Sequence, residues 1–126
     1  SIEATGNQVV LADGSAKIAY EMPESAKSVR IDVLTSSGGL VKTLSGDTSF
    51  GVHQMAWDGT DTSGAAVKPG TYQIKVSADS GYATTTVIPV SRTSGVVTGI
   101  ETVGTDTMLN IGALQVKLSD VLAIRN

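Results

Sequence analysis

The stretch WDGTDTSG, residues 57–64, combines the only tryptophan of the chain with two carboxylates and two glycines. Asp58, Asp61 and Gly64 fit the pattern D-x-x-D-x-x-G, which has the look of a calcium loop. Such a loop ordinarily supplies three or more oxygen ligands and a bidentate Glu, and no Glu follows here until Glu101. Asp and Ser side chains bond to nearby backbone groups, and Gly accepts positive φ, so D-G and S-G favour tight turns. We therefore predict a turn, with no metal ligands.

Other residues with chemical potential lack partners in the sequence. His53 is the only histidine, and there is no cysteine with which it could share a metal. We expect it to be a solvent-facing strand residue, because a catalytic histidine needs an oriented partner. Acids suited to general acid–base chemistry would have to come from a set that no local context singles out: Glu21, Glu24, Asp32 and Glu101. The sequence predicts no enzyme, no catalytic residue and no cofactor.

Trp57 and the glycines have structural interpretations. A lone Trp in a small β-protein is usually central to the core, with its indole N–H bonded locally. A carbohydrate platform would show several aromatics, and aromatic residues make up only 4% of this chain. The chain has no G-x-x-x-x-G-K-[ST] motif, and no helix is expected after Gly95 or Gly99, so no phosphate cradle is indicated.

Composition excludes several classes of function. The net charge is −3 and no Lys or Arg residues are adjacent, so the basic footprint of a nucleic-acid-binding protein is missing. No apolar run approaches the length of a membrane span, and the absence of cysteine excludes disulfides and thiolate chemistry. The chain opens with Ser1 and has no basic-then-apolar leader, so we expect a fragment of a longer protein.

Alternation of apolar and polar residues dominates residues 15–89, as in strands with one face buried. Six runs at intervals of roughly ten residues are typical of a small antiparallel sandwich. The predicted strands are KIAYEM (17–22), SVRIDVL (28–34), LVKTL (40–44), VHQMAW (52–57), TYQIKVSA (71–78) and YATTTVIPV (82–90). Turn residues at 36–39 and 79–81 predict hairpins between the second and third runs and between the last two.

The tail changes character after SRTSG (91–95), which reads as a polar break. Four short strands follow with almost no linkers: VVTGIETV, TMLNIG, ALQVKL and DVLAI. Closely spaced short strands tend to close into a small barrel, because closure removes exposed edges. We expect QVVLA (8–12) to supply a fifth strand. The predicted organisation is a sandwich at 15–89 inserted into a discontinuous barrel formed by 1–14 plus 90–126.

The stretch from Trp57 to Ala78 also resembles the signature of the immunoglobulin-like region of bacterial flagellar hook-capping proteins. That signature is W-D-G, then a D, a G, a small apolar residue and G-x-Y-x-x-x-V-x-A. The tail, with its L-x-I…V-x-L-x-D-V-x-x-I pattern, and TGNQVVLADG before the sandwich resemble the flanks in the same family. The matching positions are Trp57, Asp58, Gly59, Asp61, Gly64, Gly70, Tyr72 and Val76.

The resemblance implies a fibronectin III/immunoglobulin-like sandwich inserted into a Tudor-like barrel, with the signature residues structural rather than catalytic. It implies a non-enzymatic cap at the distal end of the growing flagellar rod or hook, outside the cell, exported through the flagellar secretion channel. Expected partners are hook protein subunits and further copies in a cap oligomer, with no nucleic acid, membrane, cofactor or small-molecule substrate. Recognition through backbone edges and limited reorientation of the two domains are expected.

Two other classes stay open. One is an immunoglobulin-like sorting or surface module of another exported bacterial protein, because W-D-G motifs occur in such modules. The other is a calcium-dependent adhesin, which predicts that a chelator lowers the melting temperature.

Overall fold

The computed structural model describes residues 1–124, and these residues form twelve strands and one turn of 3-10 helix. This confirms the all-β class predicted from the alternating runs. The elements are β1 Ile2–Thr5, β2 Gln8–Leu11, β3 Ala16–Met22, β4 Ser28–Leu34, β5 Leu40–Ser45, β6 Gly51–Trp57, β7 Gly70–Asp79, β8 Val90–Gly95, β9 Gly99–Val103, β10 Asp106–Ile111, β11 Leu114–Lys117, the 3-10 turn Leu118–Asp120 and β12 Val121–Ile124.

Two sheets enclose the larger core. One has the order β2-β7-β4-β5, and the other has the order β12-β1-β8-β3-β6. Alternate residues of each strand point inward, as the two-residue side-chain period requires. The core contains aliphatic and aromatic side chains from both sheets: Val9, Leu11, Ile18, Tyr20, Met22, Val29, Ile31, Val33, Trp57 and Ile74. We call this part the sandwich.

We call the five-stranded sheet β12-β1-β8-β3-β6 the long sheet. A second, smaller core lies at its β12-β1 end. There β1 and β12 pack against a three-stranded sheet of order β11-β10-β9. Its buried side chains are Ile2, Ala4, Leu109, Ile111, Leu114 and Val116. We call this part the barrel unit. The four tail strands predicted from the sequence correspond to β9, β10, β11 and β12.

The prediction for QVVLA is wrong. Residues 8–11 form β2, which pairs with β7 in the sandwich, with Val9 opposite Tyr72 and Leu11 opposite Gly70. The physical reason is that Val9 and Leu11 alternate with more exposed residues and fill the sandwich core. The fifth strand of the barrel unit is β1 instead, which pairs with β8 and β12.

The prediction for residues 82–95 is also wrong. No strand forms between β7 and Val90, so the hairpin predicted around residues 79–81 is missing, although Val87 is buried in the sandwich core. SRTSG, predicted as a break, lies in β8, between β1 and β3. Pro89 has no N–H to donate to a ladder. The polar residues of β8 are accommodated because they bond to charged and backbone groups at the joint between the two cores.

The hairpin predicted at residues 36–39 is confirmed. β4 and β5 pair in antiparallel register around it, and Gly38 has a φ of 96°. Residues 125 and 126, which the predicted barrel range included, lie outside the described residues.

Candidate functional site: the turn after Trp57 and the joint between the two cores

The Asp61 side chain organises the loop that follows β6. Its Oδ1 atom accepts hydrogen bonds from Ser63 N (2.9 Å), Ser63 Oγ (2.7 Å) and Ala65 N (3.0 Å). Gly64, with a φ of 87°, donates from its N–H to the Asp61 carbonyl at 3.0 Å. The bonds to the Asp61 carboxylate, of which that from the Ser63 hydroxyl has the largest effect, hold its pKa below the usual value of 3.8. The turn predicted from the sequence is confirmed.

Asp58 is arranged in the same way. Its Oδ1 atom accepts from Thr60 Oγ1 at 2.6 Å and from Thr60 N at 3.2 Å, and these bonds lower the pKa of the carboxyl group. Lys42 on β5 donates from Nζ to Thr60 Oγ1 at 2.7 Å and lies 3.8 Å from Asp58. The Oδ1 atom of each acid is therefore bonded within its own loop, and that of Asp58 also lies near Lys42.

Trp57 anchors this loop to the core. Its side chain is 1% exposed, as predicted, and its ring meets Tyr72 edge-on at a centroid distance of 5.0 Å. The indole Nε1 donates to the Thr60 carbonyl at 2.9 Å. The buried N–H is thereby satisfied locally, and the loop is fixed relative to the sandwich.

The remaining signature positions surround this anchor. Gly59 and Gly70 have φ values of 74° and 141°, a region that side chains rarely adopt. The Tyr72 hydroxyl donates to the Lys68 carbonyl at 2.6 Å, and Val76 packs partly buried against the sandwich core. Each signature residue is therefore placed in a turn or in the sandwich.

The prediction that His53 faces solvent is wrong. In the β3–β6 register it stands opposite Tyr20, on the inner side of the sheet, and its ring centroid lies 5.5 Å from that of Tyr20. Its Nε2 atom is 2.7 Å from the Ser49 carbonyl oxygen, and its Nδ1 atom is 3.6 Å from Asp47. His53 thus covers the open side of the core rather than presenting a reactive group.

The acids considered for acid–base chemistry are not brought together. Glu21, Asp32 and Glu101 lie on three different sheets. Burial tends to raise the pKa of Asp32, but hydrogen bonds from Arg30 and Thr43 outweigh it and leave the pKa below 3.8. Glu101 accepts amide donors from Asn110 and Gln115, each at 3.1 Å. Among residues 1–124 there is no group of three or more His, Asp or Glu side chains arranged to hold a metal ion.

Glu101 also lines an open cleft of about 500 Å³ between the two units. Gln8 and Thr71 form its sandwich side, and Asn110 and Gln115 form its barrel-unit side. The lining is mainly polar and neutral. The cleft therefore offers hydrogen-bonding groups, and the Glu101 carboxylate within it already accepts two amide donors.

Arg92, on β8, is the central residue of the joint between the two cores. Its guanidinium lies 3.4 Å from Glu3 on β1 and 3.0 Å from Glu21 on β3. Gln54 on β6 donates to Glu3 at 3.3 Å, and Glu3 is only 5% exposed. Arg92 therefore connects β1 of the barrel unit to β3 of the sandwich, and Glu3 is also bonded to β6.

Backbone contacts reinforce the joint. Thr93 Oγ1 donates to the Gln8 carbonyl at 2.9 Å, and Ile74 N donates to the Asn7 carbonyl at 2.8 Å. A Cβ at Gly6 would lie 2.6 Å from Thr93 Oγ1, so only glycine fits there without a shift. The two cores are therefore joined through β8, which lies between β1 and β3 and has side-chain bonds on both sides. The sequence did not predict this joint. The two residues that form its buried ion pair, Glu3 in IEAT and Arg92 in SRTSG, are nevertheless visible in the sequence.

No helix among residues 1–124 has the length and apolar character needed to cross a membrane.

Comparisons with known proteins agree with the sequence resemblance. The FlgD Ig-like domain family matches residues 6–82. The chain is similar to the basal-body rod modification protein FlgD of Escherichia coli K12, at 28% identity over 81 residues, which cover 64% of this chain. Such matches span only 27% to 35% of the length of the curated relatives.

Solved structures match over nearly the whole chain. FlgD from P. aeruginosa superposes with a TM-score of 0.81 at 25% identity, covering 98% of this chain and 94% of that one. FlgD from Xanthomonas campestris, whose structure is described as giving insights into the hook capping essential for flagellar assembly, superposes with a TM-score of 0.75 at 26% identity. That match covers 98% of this chain and 91% of that one. The likeness therefore includes both the sandwich and the barrel unit.

Proposed function

Because the chain belongs to the family of the FlgD Ig-like domain, we propose that it is part of a non-enzymatic scaffold that caps the growing flagellar hook. The observation that carries the proposal is the likeness over 98% of the chain to a FlgD structure described in terms of hook capping. A sandwich shared with sorting modules would match only in part. Here the barrel unit matches as well.

The arrangement of the side chains supports a scaffold. Asp58 and Asp61 are committed to loop hydrogen bonds, and Glu21, Asp32 and Glu101 lie on three different sheets. The signature residues Trp57, Gly59, Gly64, Gly70, Tyr72 and Val76 act, in this proposal, by holding the sandwich in shape. Function then resides in the surfaces that the two cores present to other proteins.

The joint at Arg92 refines how such a scaffold would work. β8 lies between β1 of the barrel unit and β3 of the sandwich in one sheet, with ion pairs on either side, and this favours a single stiff body over two hinged ones. We therefore replace the expected reorientation of the two domains with transmission of force through β8. Small-angle scattering that fits one rigid shape would support this view.

Further aspects belong to the same proposal. They are a division into a fibronectin III/immunoglobulin-like unit and a Tudor-like unit, export through the flagellar channel, a position at the extracellular hook tip, and assembly of several copies into a cap. The corrected strand pairing moves residues 8–11 from the barrel range 1–14 to the sandwich. Expected partners are the hook subunits.

The test is genetic. The gene that encodes the protein should be deleted in its own host, and hooks should be counted on isolated basal bodies by electron microscopy. Cells with basal bodies but no hooks, restored by the gene in trans, are expected. Normal hooks and normal swimming would refute the capping role and favour an immunoglobulin-like module of another exported protein.

A further inference from the structure

β6 is one of the two edge strands of the long sheet. It has seven residues and pairs with β3 in continuous register from Gly51 to Trp57. In the described part of the chain, no other segment forms a backbone hydrogen bond to it. The N–H and C=O groups that point away from β3 are therefore available to a further strand.

The other edge strands within residues 1–124 carry protective features. On β5, Thr62 donates its N–H to the Val41 carbonyl at 3.1 Å, and the strand also has Lys42 and a shift in register. β12 has four residues and a register shift. β2 and β11 have four residues each, and β9 has five, including Glu101. Short length, charge and bulges are the usual means by which proteins block edge pairing.

β6 has none of these features. Its sequence GVHQMAW contains no charged residue and no proline. Val52, Gln54 and Ala56 are exposed on the outer face, while His53 and Met55 are only partly covered on the inner face. An added strand would find backbone partners, uncharged β6 side chains on the outer face and an incompletely covered core edge.

Apolar surface continues beside the start of β6. Val52 is 47% exposed on the outer face, with Glu21 opposite it on β3. Phe50, immediately before β6, is 72% exposed. Two exposed apolar side chains therefore lie at the start of β6, where an added strand would cover them.

We propose that β6 receives an extended segment of a partner protein, which adds a strand to the long sheet. The segment is uncharged, and it places apolar side chains toward Met55 at alternate positions, because a charge there would lose its water without gaining a partner. This inference rests on the proposed function and takes the hook subunit as the source of the segment.

A second copy of this chain fits less well. Antiparallel pairing of two β6 strands would bring Asp58, which follows one β6, beside the Asp47–Phe50 turn that precedes the other. Both acids are exposed carboxylates, so like charges would face each other at both ends of the pairing.

The test measures binding of purified hook protein from the same organism to the full-length protein that contains this chain. Val52→Lys places a positive charge on the β6 edge, and Glu21 opposite provides a cross-strand partner that preserves the fold. Thr43→Lys makes the same change on the protected edge strand β5, where Asp32 stands opposite as the acidic partner. We expect Val52→Lys to weaken binding by about tenfold or more and Thr43→Lys to change it by less than about twofold.

Hydrogen exchange gives an independent readout. In the complex, the β6 amides that point away from β3 should become protected. Equal binding by the wild type and Val52→Lys, without new protection, would overturn the edge inference and leave the capping role standing. No binding by the wild type would instead refute the proposed partner and the inference with it. Concentration-dependent dimers abolished by Val52→Lys would show that a second copy occupies β6, which also overturns the proposal.

Discussion

Arg92 and Glu3 form an ion pair, 3.4 Å apart, that is almost completely withdrawn from water. The two side chains are 13% and 7% exposed. They come from neighbouring strands, β8 and β1, of the long sheet. Since the same guanidinium also reaches Glu21, the pair joins the smaller core to the larger one. A buried charge of this kind is costly to leave alone.

Arg92→Met should therefore destabilise the protein by about 3 kcal/mol, because it removes the guanidinium that pairs with the buried Glu3 and with Glu21. Arg30→Met is the matched control. Its ion pair with Asp32 is shorter, at 2.8 Å, but Arg30 is 60% exposed, so its loss should cost less than about 1 kcal/mol. Urea unfolding followed by circular dichroism measures both changes. Equal costs for the two variants would contradict the role of burial at the joint.

Trp57→Ala should cost about 3–5 kcal/mol, since the ring is fully buried. Trp57→Phe keeps most of the ring but removes the N–H that bonds to the Thr60 carbonyl, so it should cost distinctly less. The loss of the indole bond should also loosen the following loop. Limited proteolysis within residues 58–66 reports on that loop. A melting curve of Trp57→Ala close to that of the wild type would refute the core placement.

Acid should weaken the two loops that flank β6, residues 46–50 and 58–69. The pKa values of Asp47, Asp58 and Asp61 are lowered in the folded protein, chiefly by hydrogen bonds from neighbouring hydroxyl and N–H groups. A carboxyl group with a lowered folded pKa stabilises fully above its unfolded pKa and loses that contribution as the pH falls through the folded value. The melting temperature should fall as the pH drops below about 4. The fall should be smaller in Asp61→Asn, which has no proton to take up there.

Removal of calcium should leave the protein unchanged. Each Oδ1 atom of Asp58 and Asp61 already accepts bonds within its own loop, so an ion at these atoms would compete with those hydrogen bonds. Melting temperatures in excess EDTA and in excess calcium should coincide. A rise of several degrees with calcium would restore the adhesin alternative, because a ligand that binds only the folded state raises its stability.

Gly95→Ala should disturb the smaller core. A Cβ at position 95 would collide with the Cγ2 methyl of Ile111, and overpacking of this kind costs about 1–3 kcal/mol. Ile111→Ala removes that methyl group. In the double variant the two losses should therefore be less than additive, as expected for residues in contact. Strict additivity in a denaturation cycle would show that the two residues do not meet.

The sequence predicted the strands whose apolar residues alternate cleanly. Val29, Ile31 and Val33 on β4 are buried as their spacing requires, and the turn after Trp57 follows from the local chemistry of Asp and Gly. His53 was misplaced because a strand at an open edge has an inner face that is only partly covered. Because histidine is polar, the sequence pattern assigned His53 to the solvent-facing side of the strand.

The joint between the two cores could not be predicted from the alternation of apolar and polar residues. Thr93 and Arg92 look like loop residues, yet they lie in a strand whose partners are distant in sequence. Thr93 Oγ1 bonds to the Gln8 carbonyl, and the two terminal nitrogens of Arg92 bond to Glu3 and Glu21. QVVLA met a related difficulty, since its alternation identifies a strand but not the sheet that it joins. Pairing across long sequence separations depends on tertiary packing rather than on local pattern.

The membership of β8 in both parts of the molecule bears on how such proteins can be recombined. The similarity to the Ig-like family ends at residue 82, but β3, which pairs with β6 on one side, pairs on its other side with residues 90–92 of β8. A segment cut at the border of similarity and transplanted elsewhere would carry the recognisable signature without a strand that flanks β3. The unit that evolution can exchange intact is therefore larger than the unit that sequence comparison outlines.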